Sequence, residues 1–92
     1  MSMDDVYENL KSLEQGLEQF NEHLRNHFAE VMQAHDHLQP EWDDEMRREY
    51  DITWQPMQDS MEEYIHQIGP NYVGYLVQQL HHLRAYLYGH GS

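Results

Sequence analysis

The chain has 92 residues, 39% of them hydrophobic, no cysteine, and 17 acidic against five basic side chains, a formal net charge of −12. That length holds one domain with a modest core. The charge repels phosphate backbones and anionic membrane surfaces, and the missing thiols exclude disulfides, thiolate catalysis and Cys-based zinc sites. No apolar run approaches the ~18 residues of a membrane span. Residues 1–5 are acidic and lack the basic stretch and apolar core of a cleavable secretion signal. The expectation is one domain over residues 1–92, cytoplasmic or secreted without a cleavable signal peptide, with no nucleic-acid partner and no membrane span.

Residues 4–38 read as one long helix. Val6, Leu10, Leu13, Leu17, Phe20, Leu24, Phe28, Val31, His35 and Leu38 follow one another at steps of three or four, the seam of a helix packed on a helix. Asp4 and Asp5 stand where carboxylates satisfy free N–H groups and favour the helix dipole. Gly16 falls off the seam. Pro40 ends the helix, because the residue before a proline avoids the α region. The short turn 39–41 predicts an antiparallel neighbour.

A second helix over about 42–68 carries Trp42, Met46, Tyr50, Trp54, Met57, Met61, Tyr64 or Ile65, and Ile68 at helical spacing. Asp43, Asp44 and Glu45 load its first turn with negative charge. Pro56 predicts a kink near 52–56. Gly69 and Pro70 predict either a stop and restart, with Pro70 in the first turn, or a sharp bend. A third helical segment over about 71–88 lines up Tyr72, Leu76, Leu80, Leu83 and Leu87, with Tyr75 and Tyr86 on one side and Val73, Val77 and Tyr88 on the other. That arc exceeds half the circumference, wider than a helix covering a small core needs. Residues 89–92 form a tail expected to fray.

Charge is unevenly placed. Every acid lies at or before Glu63, and after it the only formal charge is Arg84, in a stretch that holds five of the seven tyrosines. Tyrosine and leucine without charge are interface chemistry. Tyr72, Tyr75, Leu76, Leu83, Tyr86, Leu87 and Tyr88 are therefore the candidate partner interface, able to hinge away at Gly69 and Pro70 or to fold back on the first helix. For metal, His23 and His27 stand one turn apart, and Glu63 with His66 matches half of a carboxylate-bridged di-iron pattern. A complete site of that kind needs two Glu-x-x-His motifs and two further glutamates, so no native metal and no cofactor is expected. The four serines lack a nucleophile-elbow context, and the scattered glycines make no phosphate cradle. The reading is non-enzymatic.

The centre of the chain resembles the WXG family of small type VII secretion proteins. The features are the long heptad-like helix before a tight turn, Trp42 at that turn with Asp44 behind it, and the helix-packing aromatics Tyr50 and Trp54. The resemblance, over about 6–87, implies an antiparallel helical hairpin that completes a four-helix bundle by dimerisation. The turn reads Trp42, Asp43, Asp44 where the family has a glycine, and no acid follows Glu63, so the C-terminal secretion signal would come from a companion chain. The fold expected is thus all-α, a hairpin with a kinked or broken second arm. The function expected is protein–protein interaction with itself or a related helical chain, with a secretion apparatus as a further partner that the resemblance implies. The alternative is an acidic inhibitor, of immunity or antitoxin type, covering a basic protein, and a helical metal-binding protein comes third.

Overall fold

The computed structural model describes residues 2–38 and 43–89, and all the secondary structure among them is helical. Helix α1 spans Met3–Asp36, α2 spans Asp44–Glu63, and α3 spans Gly69–Tyr88, with a π-turn at Tyr64–Ile68 joining the last two. Two antiparallel arms result, one formed by α1 and one by α2, the π-turn and α3. The molecule measures 70 × 22 × 16 Å with a radius of gyration of 20.4 Å, against about 12 Å for a compact chain of this length. It is a rod with almost no interior. No helix among the described residues is long and apolar enough to cross a membrane.

Helices α1 and α2 each start on a side-chain cap. At α1, the Ser2 hydroxyl accepts from the Asp5 N–H (3.2 Å) and the Asp5 carboxylate accepts from the Ser2 N–H (3.3 Å), a reciprocal capping box. At α2, Asp43 accepts from the Met46 N–H at 2.8 Å, and Asp44, of the expected turn motif, is the first helical residue. Its companion Trp42, like Pro40 and the tail residues 90–92, lies outside the described residues. At the far end of α1, the His37 Nδ1–H donates to the Gln33 carbonyl at 2.8 Å, satisfying one of the last free acceptors.

The second arm is continuous where the sequence suggests a stop. α2 runs uninterrupted across Pro56. The Pro70 ring would collide with the carbonyl four residues back, at His66. The π-turn relieves this by widening the backbone one turn ahead of the proline, and the Gly69 N–H closes it on the Tyr64 carbonyl. Pro70 is thereby the second residue of α3, where its fixed φ suits the helix.

The tight pairing is between α1 and α3, so the third segment folds back along the first and the hinged-out arrangement is not adopted. The arms come close at Gly69, where an added Cβ would stand 3.0 Å from Asn21 Nδ2 and 3.1 Å from the Tyr64 carbonyl oxygen. From there the register runs to the Tyr88 hydroxyl, which donates to Asp4 at 2.9 Å. α2 stands further off. The second arm is longer than α1 by about ten residues, ~15 Å of helix, so the start of α2 projects past the end of α1 and is held by His35. That ring stacks on Trp54 (centroids 4.2 Å, 5° apart) and shares a 2.7 Å hydrogen bond with the Tyr50 hydroxyl.

The seam differs from the one expected. On α1, Tyr7, Leu10, Glu14, Leu17, Asn21, Leu24, Phe28 and His35 turn inward, in two lines of seven-residue spacing. Val6, Leu13, Phe20 and Val31, expected in the seam, remain exposed. The apolar arc of α1 is three heptad lines wide, and one neighbouring helix covers two. The close approach at Gly69 selects which two, by seating Asn21 against α3. Opposite stand Gly69, Val73, Leu76, Leu80, Leu83 and Leu87. Among the described residues only Ile65 of the apolar side chains is buried, at 8% exposure.

Candidate functional site

The seven-residue lines divide each arm into two sides. On α1, Val6, Leu13 and Phe20 form a third line beside the seam, with Leu13 58% and Phe20 54% exposed. On α3 the matching line is Tyr72, Gln79 and Tyr86, with Ile68, Tyr75 and His82 next to it. In an antiparallel pair the lines preceding the two seams lie on the same side. The structure confirms it, because Met3, Val6 and Leu10 line one groove together with Gln79, His82, Leu83 and Tyr86. Phe20 meets Tyr64 edge to face at 6.5 Å between centroids, which carries the side on to the π-turn.

This side excludes formal charge. Between residues 6 and 27 its α1 positions are Val6, Asn9, Ser12, Leu13, Gly16, Gln19, Phe20, His23, Asn26 and His27. The charged residues of the same stretch apart from Glu14 — Glu8, Lys11, Glu18, Glu22 and Arg25 — fall on the opposite side. There Glu18, Glu22 and Arg25 share a groove with Pro70 and Val73, and Arg84, the one formal charge of α3, lies with His81 and Tyr88. In a chain of net charge −12, a face about 30 Å long without a carboxylate is the main departure from a uniformly solvated surface.

The candidate interface of the sequence splits in two. Leu76, Leu83 and Leu87 turn to α1 and belong to the seam. Tyr72 and Tyr75, each 57% exposed, and Tyr86 look out on the charge-free side, while Tyr88, also exposed, is on the other, edge to face with Tyr7 at 6.4 Å. The Tyr88 hydroxyl titrates above its ordinary range because it donates to Asp4 and feels that carboxylate's charge. Val6, Leu13 and Phe20 were not separated from the seam by sequence reasoning. Their seven-residue spacing was the available signal.

Two polar groups sit inside the seam. Glu14 is 8% exposed, between Leu10 and Leu17. Burial pushes its carboxyl above the usual range, and a hydrogen bond and like charge from Glu18 push the same way. Asn21 accepts from the Tyr64 hydroxyl at 2.8 Å, while its Nδ2 is buried with no hydrogen-bond partner among the described residues. The helix-packing aromatics Tyr50 and Trp54 meet at His35, and Trp54 Nε1–H donates to Gln58 at 2.7 Å.

The histidine pairs are not gathered into a centre. His23, His27, Glu63 and His66 are all exposed, and His27 instead faces Glu30 at 3.7 Å. Glu63 and His66 straddle the junction of α2 with the π-turn, whose wider pitch takes them out of α-helical alignment. Among the described residues no group of three or more His, Asp or Glu is placed to hold a metal ion.

Comparison with known proteins returns no family model, no curated sequence and no solved structure that matches this chain.

Proposed function

We propose that this chain is a non-enzymatic protein–protein interaction module, which associates through its charge-free side with itself or a related helical chain. The observation that carries the reading is that side: heptad-spaced apolar residues from both arms, exposed together, on a molecule otherwise covered with carboxylates. Exposed apolar surface of this continuity marks interaction sites. In this reading the chain resembles a WXG-type factor or the partner subunit of one, with Leu76, Leu83 and Leu87 as the scaffold and Tyr72, Tyr75 and Tyr86 as contacts. The test is recovery from the native source under mild conditions. The chain is expected in a stoichiometric complex, with another copy or with a distinct helical protein. A fully folded chain recovered alone and monomeric at 100 µM would refute it.

A second reading draws on the net charge of −12, with Glu8, Glu18 and Glu22 on the opposite side of α1 interleaved with Lys11 and Arg25. It is an acidic inhibitor that covers a basic protein, with association steered by charge. Binding of that kind weakens steeply with salt, whereas association through the charge-free side holds between 50 and 500 mM NaCl.

A further inference from the structure

We infer that the charge-free side is an acid-released interface, in which protonation of His23 and His82 puts charge where a partner is docked and sets the partner free. This rests on the interaction-module reading and names how that site is regulated.

The side carries no formal charge at neutral pH, yet not all of its polar groups are permanently neutral. Asn9, Ser12, Gln19, Asn26 and Gln79 cannot ionise. His23, His27 and His82 can, and histidine is the side chain that changes charge between pH 8 and 5. The eight histidines of the chain are not placed alike. His81 lies on the other side with Arg84 and Tyr88, and His35 is stacked on Trp54. His27 has Glu30 at 3.7 Å, so a proton there is matched by a carboxylate at the edge of the side.

His23 and His82 are exposed and differently surrounded. His82 shares its groove with Met3, Val6, Leu10, Leu83 and Tyr86, none of which carries a carboxylate. The acids at that end of α1 are engaged elsewhere: Asp5 in the Ser2 cap, Asp4 with Tyr88, and Glu8 on the opposite side. His23 has Gln19, Phe20, Asn26 and His27 within a turn of its own helix. The π-turn packed against α1 at that level contributes Tyr64, bonded to Asn21, and a further base, His66. Of the acids there, Glu22 lines the opposite groove, and Glu63 is exposed at the end of α2.

Acid has two opposing effects, and their ranges decide between them. Protonation of all eight histidines moves the net charge from −12 toward −4, which relaxes repulsion from an acidic partner. That term acts through solvent and is screened beyond about 8 Å at physiological salt. The local term acts at contact, where a charge loses its water and salt does not reach it. An imidazole that must stay neutral under a partner weakens association about tenfold for each pH unit below its midpoint, and two of them about 100-fold. The local term wins, and acid releases the partner. Unfolding does not contribute, because the raised carboxyl of Glu14 makes the fold more stable, not less, as pH falls.

The experiment has two readouts at 150 mM NaCl, with helicity followed by circular dichroism. Nile red, an uncharged apolar dye, probes the groove of the whole chain. Its affinity is expected to fall about tenfold from pH 7.5 to pH 5.5. His82→Gln is expected to bind it equally at both, and His81→Gln, one position round, to keep the loss. The complex recovered from the native source is then compared at the same two pH values. It is expected to weaken about 100-fold in acid, and to hold at both when rebuilt with the His23→Gln, His82→Gln double variant. Affinity that rises on acidification in either readout means that net charge governs, and overturns the switch. His81→Gln as effective as His82→Gln overturns the assignment to this side. A complex indifferent to pH overturns the switch and leaves the interaction module, whereas a chain recovered alone at both pH values overturns both.

Discussion

Gly69→Ala and Gly74→Ala are the same chemical change in the same helix, and the structure gives them opposite signs. Both glycines are in α3, where alanine is favoured by about 1 kcal/mol over glycine. At Gly74 a Cβ meets nothing within 4 Å, so the full propensity gain is expected. At Gly69 the Cβ arrives 3.0 Å from Asn21 Nδ2, 3.1 Å from Asn21 Cγ and 3.1 Å from the Tyr64 carbonyl oxygen. The carbonyl is locked in the π-turn by the Gly69 N–H itself, so the side chain of Asn21 has to move. That movement breaks its bond to the Tyr64 hydroxyl, a loss of about 1 kcal/mol, and overpacking adds about 1–2 kcal/mol. Gly69→Ala is therefore expected to destabilise by about 1–2 kcal/mol, which places it about 2–3 kcal/mol below Gly74→Ala. Urea unfolding followed at 222 nm measures both, at one fixed chain concentration because association contributes to apparent stability. A Gly69→Ala protein as stable as Gly74→Ala would show that Gly69 is not packed against Asn21, and the register described here would be wrong.

Glu14 gives the hairpin a pH dependence of known sign. Its carboxyl holds a proton more tightly folded than unfolded, so that stability is complete below the unfolded-state pKa and is lost as pH rises through the raised folded value. Glu14→Gln is expected to flatten the unfolding free energy across this range, and Glu14→Leu to add about 2 kcal/mol at pH 7; unchanged profiles for both would contradict its burial. Trp54→Ala removes the stack on His35 and the bond to Gln58 at a half-buried position, and is expected to destabilise by about 2 kcal/mol. Hydrogen exchange should locate the damage in residues 44–54, and equal loss of protection across α3 would argue against the projecting start of α2.

Much of the fold is legible in the order of residues. The heptad-like run to His35, the proline after it and the acids at Asp43, Asp44 and Glu45 suffice for two antiparallel arms, because helix ends and periodicity are local properties. The rotation of α1 about its own axis is not local. Val6, Leu13 and Phe20 are as apolar as Leu10, Leu17 and Leu24, while Glu14 and Asn21 look like surface residues, so hydrophobicity alone draws the seam one line too far round. What corrects it is a contact between positions 48 apart, Asn21 on Gly69, and a glycine announces that only as a missing side chain. The π-turn had a sequence signal in Pro70, which marks where a helix is disturbed but not that the disturbance is absorbed a turn earlier. The absence of acids after Glu63 was visible at once. The parallel absence along one side of α1 emerges only when the seven-residue lines are assigned.

The π-turn holds one residue more than an α-helix over the same rise. Deleting a single residue between 64 and 68 would let the backbone close in the α pattern with α2 and α3 keeping nearly their present phase, because the wider turn advances about as far in five residues as an α-helix does in four. Met46, Ile52 and Met57, all exposed on α2, would stay on the sides they now occupy, while the Pro70 ring would be returned to the carbonyl four residues back. The second arm thus contains a slack joint, a place where one residue of extra length is taken up beside a proline without re-aiming either half of the molecule's surface.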